Sequence, residues 1–206
     1  MYALVVNNSV TKVFPGPKGF EHNGNQYSPD IFYKWSKAEK EAIGLYEVTT
    51  DSTNYKDEKW YINTNESYTF SNGKVTRSWG TATAKAHADI LWTEQDKTDD
   101  KIPEGKDVGN VAVEGLKTVL IRTLKAQAAG ELKNTDWYVI RKADAGTAVP
   151  SSITTHRAAV RTKCAEMETA ITNAADTPAL EILYTYTKQE DGSVTRPLGE
   201  LPTLEG

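Results

Sequence analysis

The residues that could carry chemistry are few and scattered. A hydrolytic site needs a nucleophile, a base and an acid to orient the base. Here the bases are His22, His87 and His156, and the single thiol is Cys164. No Gly-x-Ser-x-Gly elbow, no Gly-Lys-Ser phosphate loop and no Gly-x-Gly-x-x-Gly turn occurs, and the histidines share no metal-ligand spacing. One cysteine can form neither an intramolecular disulfide nor a Cys-based zinc site. Cys164 falls on the apolar stripe of a helix, where a buried structural thiol belongs. Asp96, Asp99 and Asp100 form an acidic cluster that lacks the turn glycine and closing glutamate of a calcium loop, so they read as a solvated linker. Lys117, Arg122 and Lys125 make a mild basic face, with no acid between Gly115 and Gly130; such a face suits solvent or an acidic partner. The expectation is a non-enzyme with no catalytic, cofactor-binding or metal-binding residue.

The densest set of informative residues runs from Leu132 to Arg161. Thr135-Asp136-Trp137 opens a short helix, with Asn134 or Thr135 as its cap, and Gly146 stops it. Asp136 suits the positive end of that helix and Arg141 the negative end. Trp137 and Ile140 share a face that is expected to pack into the core. Val149-Pro150 restarts the chain into a second helix, where Arg157 and Arg161 are i, i+4 neighbours able to share a carboxylate such as Asp136 or Asp144. Asp136, Trp137, Arg141, Arg157 and Arg161 are therefore the candidate partner-binding or module-core residues.

The elements that must position this segment fall into two halves. Residues 1–82 read as a small antiparallel β-rich domain. Ala3–Val6 and Val10–Phe14 flank an Asn7-Asn8-Ser9 turn, and Asn23-Gly24 marks a second turn. Ser36 with Glu39 fits a capping box, Gly44 stops the helix that follows, and Leu45–Thr50 returns to strand. Trp60–Asn63, Ser67–Phe70 and Lys74–Trp79 suggest a three-stranded meander, turning at Asn72-Gly73. Residues 83–106 read as an acidic linker. Residues 107–177 read as helical, with Asp107 capping a helix over Val108–Leu132. A last helix carries Ile153, Val160, Cys164, Met167, Ile171 and Ala174 at three-four spacing, a narrow seam that permits a homo-oligomer. Asp176-Thr177-Pro178 closes it. Residues 178–206 read as a C-terminal arm: Pro178–Tyr186 fits helix or strand, Asp191-Gly192 signals a turn, and the last ten residues look extended. The fold class is α+β, a β-rich N-terminal domain followed by a helical-hairpin domain.

The bulk numbers narrow the partners. The 206 residues carry a net charge of −4, and Lys and Arg balance Asp and Glu at 9 to 9 in residues 1–83 and 9 to 8 in residues 107–177. No segment is basic enough for nucleic-acid binding, which needs clustered cations on phosphates. No apolar run approaches the roughly 20 residues needed to span a bilayer, and the N-terminus turns polar too soon for a signal-peptide core. A soluble protein made in the cytosol is expected, with no nucleic acid and no membrane among its partners.

The order Leu132, Thr135-Asp136-Trp137, Val139-Ile140-Arg141, Asp144, Gly146, Val149-Pro150, Arg157 and Arg161 resembles the bacteriophage tail assembly chaperones, including tail-fibre assembly proteins. Phe32, Trp35-Ser36-x-Ala38-Glu39-Lys40 and Ala42–Val48 resemble the β-rich segments that accompany such modules. The sequence departs from that pattern at Asp144, where a Glu is usual, and at His156, where a Tyr is usual. A continued helix over Cys164–Ala175 also replaces a short proline-rich tail. The resemblance implies a non-catalytic chaperone that binds the distal part of a tail fibre, or another tail protein, during folding and trimerisation in the host cytoplasm. A second reading is a structural virion component, such as a fibre-tip, fibre-attachment or baseplate protein retained in the tail. A third is a carbohydrate-binding module that stacks sugars on Trp60, Tyr61 and Trp79.

Overall fold

A computed structural model describes residues 1–204, which divide between Thr83 and Ala84 into two compact units. The class is α+β, with strands concentrated in the first unit and long helices in the second. No helix among the described residues is long and apolar enough to cross a membrane.

The first unit begins with β1 (Tyr2–Val6) and β2 (Ser9–Phe14), an antiparallel hairpin with a register shift between Leu4 and Val5. Its two-residue turn needs positive φ, which Asn7 (50°) and Asn8 (59°) supply. β3 (Phe20–His22) and β4 (Asn25–Tyr27) form a second hairpin through Asn23 and Gly24, again at positive φ. Two short helices follow, α1 (Ile31–Lys34) and α2 (Lys37–Ala42). Ser36 and Glu39 close a reciprocal capping box at the start of α2, each satisfying a backbone N–H of the other. β5 (Leu45–Thr50) then lies antiparallel to β1, while β6 (Tyr61–Ile62), β7 (Ser67–Ser71) and β8 (Lys74–Ser78) complete the strands up to β9 (Thr83–Ala84), where the unit ends.

The main sheet runs β2-β1-β5-β8-β7. It differs from a purely antiparallel sheet in one place: β5 and β8 are parallel, with Val48 opposite Val75. The expected meander is also shorter, because β7 and β8 pair as a hairpin while β6 lies outside that sheet. Only the Asn72-Gly73 junction is a tight turn; the segment from Asn63 to Glu66 carries the chain away before β7 begins. Side chains alternate across the interior strand β1. Leu4 faces a cluster of Phe14, Phe20, Ile31, Phe32 and Leu45, whereas Ala3 and Val5 face Val75, packed with Tyr46 and Phe70. Both faces of the sheet are thus covered, which is why three consecutive residues of β1 are buried.

The second unit opens with a ribbon of β10 (Ile90–Leu91) and β11 (Val111–Val113), with α3 (Glu94–Thr98) between them. The acidic stretch is therefore partly ordered: Thr93 caps α3 and Asp96 returns the bond in a second capping box. The long helix α4 spans Leu116–Lys133 and starts eight residues later than Val108. Asp107 does not cap it. Gly115 stands at its N-terminus, donating its N–H to the Asp89 carboxylate at 2.7 Å, and a Cβ there would overlap the Ala88 carbonyl. Pairing of Val111–Val113 as a strand leaves no room for helix before that point.

α5 (Asp136–Ala145) ends at Gly146 in the left-handed conformation (φ 69°), and α6 (Ser151–Asn173) follows Pro150. α6 runs antiparallel to α4: the Lys117 ammonium donates to the Thr172 carbonyl, Lys125 pairs with Glu168 at 2.7 Å, and Arg157 reaches Leu132. The helical hairpin is α4 with α6, joined through α5. Leu120, Leu124 and Ala128 of α4 are buried, as are Ile153, Val160, Met167 and Ile171 of α6. Val119 of α4 is exposed.

Asp176 caps α7 (Thr177–Tyr184) by accepting from Ala179 N–H. β12 (Thr187–Lys188) and β13 (Val194–Thr195) turn through Gly192 at φ 85°. The tail is no free arm as far as it is described. Leu198 is 3 % exposed and donates its N–H to the Leu183 carbonyl. An apolar anchor and a backbone hydrogen bond hold the start of the segment expected to be an extended arm. Residues 205 and 206 of the expected arm lie outside the described residues.

Candidate functional site

The centre of the Leu132–Arg161 segment is a buried guanidinium. Arg157 is 9 % exposed and its Nη1 donates to the Thr135 hydroxyl at 2.7 Å and the Leu132 carbonyl at 2.8 Å. The same nitrogen lies 2.9 Å from Asp136 Oδ1. Nη1 carries two protons, so three acceptors share them. A buried cation is tolerable only when acceptors replace its lost hydration, and this set does so. Thr135, 1 % exposed, is part of the lock rather than a helix cap: its hydroxyl turns back onto the Leu132 carbonyl at 2.9 Å and makes no bond to the N-terminal amides of α5.

Asp136 is thus the carboxylate that meets Arg157, and Asp144 is not. Arg161 does not share it. Among the described residues its Nη1 reaches only the Arg157 carbonyl, at 3.4 Å, and its side chain edges a groove of about 290 Å³ floored by Ala128, Leu132 and Cys164 between α4 and α6. One turn of helix places two arginines on the same side, but among the described residues Asp136 pairs with Arg157 alone, in the N-terminal half of α6.

Trp137 and Ile140 overturn the expectation of core packing. Trp137 is 49 % exposed and Ile140 is 67 % exposed, and α5 buries no residue fully. The reason is geometric. Arg157 grips only the first turn of α5, while the long apolar faces of α4 and α6 are already satisfied by each other. Trp137 instead stacks beside Tyr138, with ring centroids 3.9 Å apart, under the Arg141 guanidinium at 4.7 Å. Arg141 also lies 5.4 Å from the Tyr138 ring, a cation–π arrangement that withdraws its Nε from solvent without a hydrogen-bond partner. The module helix is therefore anchored at one end and presents its largest apolar side chains outward.

The remaining candidates are occupied within the chain. Arg122 forms a two-pronged pair with Glu114 and Lys125 pairs with Glu168, so two of the three cations on the basic face of α4 meet carboxylates, while Lys117 holds the Thr172 carbonyl. The Glu114 carboxyl is held below its ordinary range by that hydrogen-bonded arginine. Asp96 accepts from the Thr93 amide and hydroxyl, and Asp99 from Gln95 and Lys101. Among the described residues no group of three or more His, Cys, Asp or Glu could hold a metal ion. Cys164 is half-buried rather than buried, and desolvation pushes its thiol up, away from the thiolate a nucleophile requires. His156 is 8 % exposed and its Nε2 has no hydrogen-bond partner.

The aromatic platform expected for sugars does not exist as such. Trp60 and Tyr61 are 3 % and 5 % exposed, with Lys59 and Lys56 over their rings. Trp79 is half-buried between Tyr55 and Arg77. Short strands bury aromatic pairs because a two- or three-stranded surface has little else to pack.

Compared with protein-family models, curated proteins and solved structures, the chain matches none.

Proposed function

We propose that this chain is a non-enzymatic tail-fibre assembly chaperone that engages its client through the outward face of α5. One observation carries the reading: the Thr-Asp-Trp segment is fixed by a buried arginine, yet its Trp137 and Ile140 stand in solvent. A tryptophan that serves only stability belongs in a core, since burying such a ring stabilises by a few kcal/mol. A half-exposed tryptophan flanked by an arginine is instead the composition of a protein-binding hot spot. Resemblance of the same residues to the phage tail assembly chaperones names the client as a tail-fibre or other tail protein. Such a client, a trimeric β-structure before closure, exposes strand edges and apolar faces that a partner can shield from misassembly.

The test is capture of fibre protein from infected-cell lysate, with quantitative mass spectrometry of purified particles alongside. Wild-type protein recovers the fibre protein and is absent from particles. The Trp137→Ala/Ile140→Ala variant remains folded, because half-exposed side chains cost under about 1 kcal/mol each, but loses capture at least tenfold. A fixed copy number in the particle overturns the chaperone role in favour of a structural tail component. Undiminished capture by the folded double variant removes α5 as the binding face.

A further inference from the structure

A second candidate site lies in the first unit and shares no residue with the reading above. A cavity of about 340 Å³ opens where three separate stretches of chain meet: the β1–β2 turn, the β3–β4 hairpin and the end of α2. Its polar lining is Asn7, His22, Asn23, Asn25 and Tyr27, with Ile43 as an apolar wall. No Asp, Glu, Lys or Arg belongs to the described lining. Asn25 gives one amide proton to the Asn23 carbonyl at 3.4 Å. Asn7, Asn23 and Asn25 are exposed and His22 and Tyr27 half-buried; the side chains of Asn7, His22, Asn23 and Tyr27 make no hydrogen bond within the described residues, so their donors and acceptors are available to a ligand.

We infer that this cavity binds a neutral polyhydroxylated ligand, a mono- or disaccharide. Each primary amide offers paired donors and acceptors on one plane, and imidazole and phenol add one group of each kind. That set matches adjacent hydroxyls, each of which is both donor and acceptor, and gives no preference to a formal charge. The volume sits at the small end of the roughly 300–1,000 Å³ typical of small-molecule sites, fitting one or two sugar rings. Ile43 supplies a surface for the C–H face of a ring. The shape is held in place: the Val5 N–H donates to the Gly44 carbonyl at 2.8 Å, tying the α2 end to β1, and Tyr27 is packed by Phe20 and Trp35 at 5.1 and 5.9 Å. Asn7 and Asn23 occupy positive-φ turn positions; the turns account for asparagine at each, but not for the convergence of both on one cavity.

The experiment is an NMR titration of the full chain with glucose, galactose, N-acetylglucosamine and maltose, and with galacturonate and glucose-6-phosphate as charged counterparts. The expected result is saturable shifts at millimolar concentration for at least one neutral sugar, confined to the side-chain amides of Asn7, Asn23 and Asn25 and the His22 ring. Asn7→Gly and Asn23→Gly each delete an amide while keeping a residue that accepts positive φ, so the hairpins persist. Each is expected to weaken binding about tenfold, and His22→Ala serves as a variant outside the turns. Absence of saturable shifts with every neutral sugar overturns the inference, as does undiminished binding by the variants or a clear preference for the charged counterparts. Fibre capture by α5 is read separately, so failure of one assignment leaves the other intact.

Discussion

Replacing Arg157 by alanine tests the lock on α5 most directly. The guanidinium is held by three acceptors of unequal consequence. The Leu132 carbonyl also receives the Thr135 N–H and hydroxyl, at 3.0 and 2.9 Å, so it is not orphaned when Arg157 is removed. Asp136, with its side chain 51 % exposed, rehydrates, and its pair contributes at most about 1 kcal/mol. Thr135 Oγ1 is the group that loses a charged donor in a dry place, which costs about 1.5–3 kcal/mol. Loss of the aliphatic stem adds about 0.8 kcal/mol per buried CH2. Deleting the guanidinium also removes a desolvation penalty of several kcal/mol that the folded wild type bears, which offsets part of these losses. The net expectation for Arg157→Ala is a loss of about 2–3 kcal/mol, read as a lowered midpoint in urea followed by far-UV circular dichroism. Arg157→Met keeps most of the stem and loses less. In double-mutant cycles Thr135→Ala couples to Arg157 more strongly than Asp136→Asn does. A loss under about 1 kcal/mol for Arg157→Ala, or a larger coupling to Asp136, refutes a lock built on the buried hydroxyl.

The capping box on α2 carries a pH signature. Hydrogen bonds from the Ser36 side chain and amide hold the Glu39 carboxyl below its ordinary range. Its contribution is therefore complete above the unfolded glutamate value and is lost as pH falls through the lowered folded value. Ser36→Ala is expected to cost about 1 kcal/mol at neutral pH, with the deficit narrowing in acid; a deficit that grows in acid contradicts the box. Gly44→Ala meets both a φ of 79° and a Cβ position 2.6 Å from the Val5 carbonyl oxygen. It is expected to cost at least about 2 kcal/mol, measured by thermal unfolding, and a neutral effect contradicts the close approach of α2 to β1.

Local chemistry was legible where one short segment determines its own geometry. Asn-Asn, Asn-Gly, Ser-x-x-Glu and Gly146 each name a turn, cap or stop from adjacent residues, and each stands where spacing places it. Pairing of Arg157 with a nearby carboxylate was legible because the groups lie in one motif, but spacing left Asp136 and Asp144 equal and included Arg161, and the fold selects Arg157 with Asp136. Long-range choices were not. Nothing in Val108–Val113 announces that it prefers a strand beside Ile90–Leu91 to the first turns of α4, since a short apolar run suits either. Spacing likewise places Trp137 and Ile140 on one face without saying whether a neighbour remains to cover it. The cavity around Asn7, Asn23 and Asn25 is invisible to a linear reading, because turn propensity already explains each asparagine separately.

The parallel partnership of β5 with β8 bears on how the first unit emerges from the ribosome. The β1–β2 hairpin closes over a few residues, and β5 can join β1 once Leu45–Thr50 is made. The far edge of β5 must then wait for Lys74–Ser78, because a parallel neighbour cannot arrive through a tight turn. At roughly 5–20 residues per second, the nascent chain carries an open, partly apolar strand edge for seconds. During vectorial synthesis the first unit is thus briefly in the same predicament as an unclosed fibre strand.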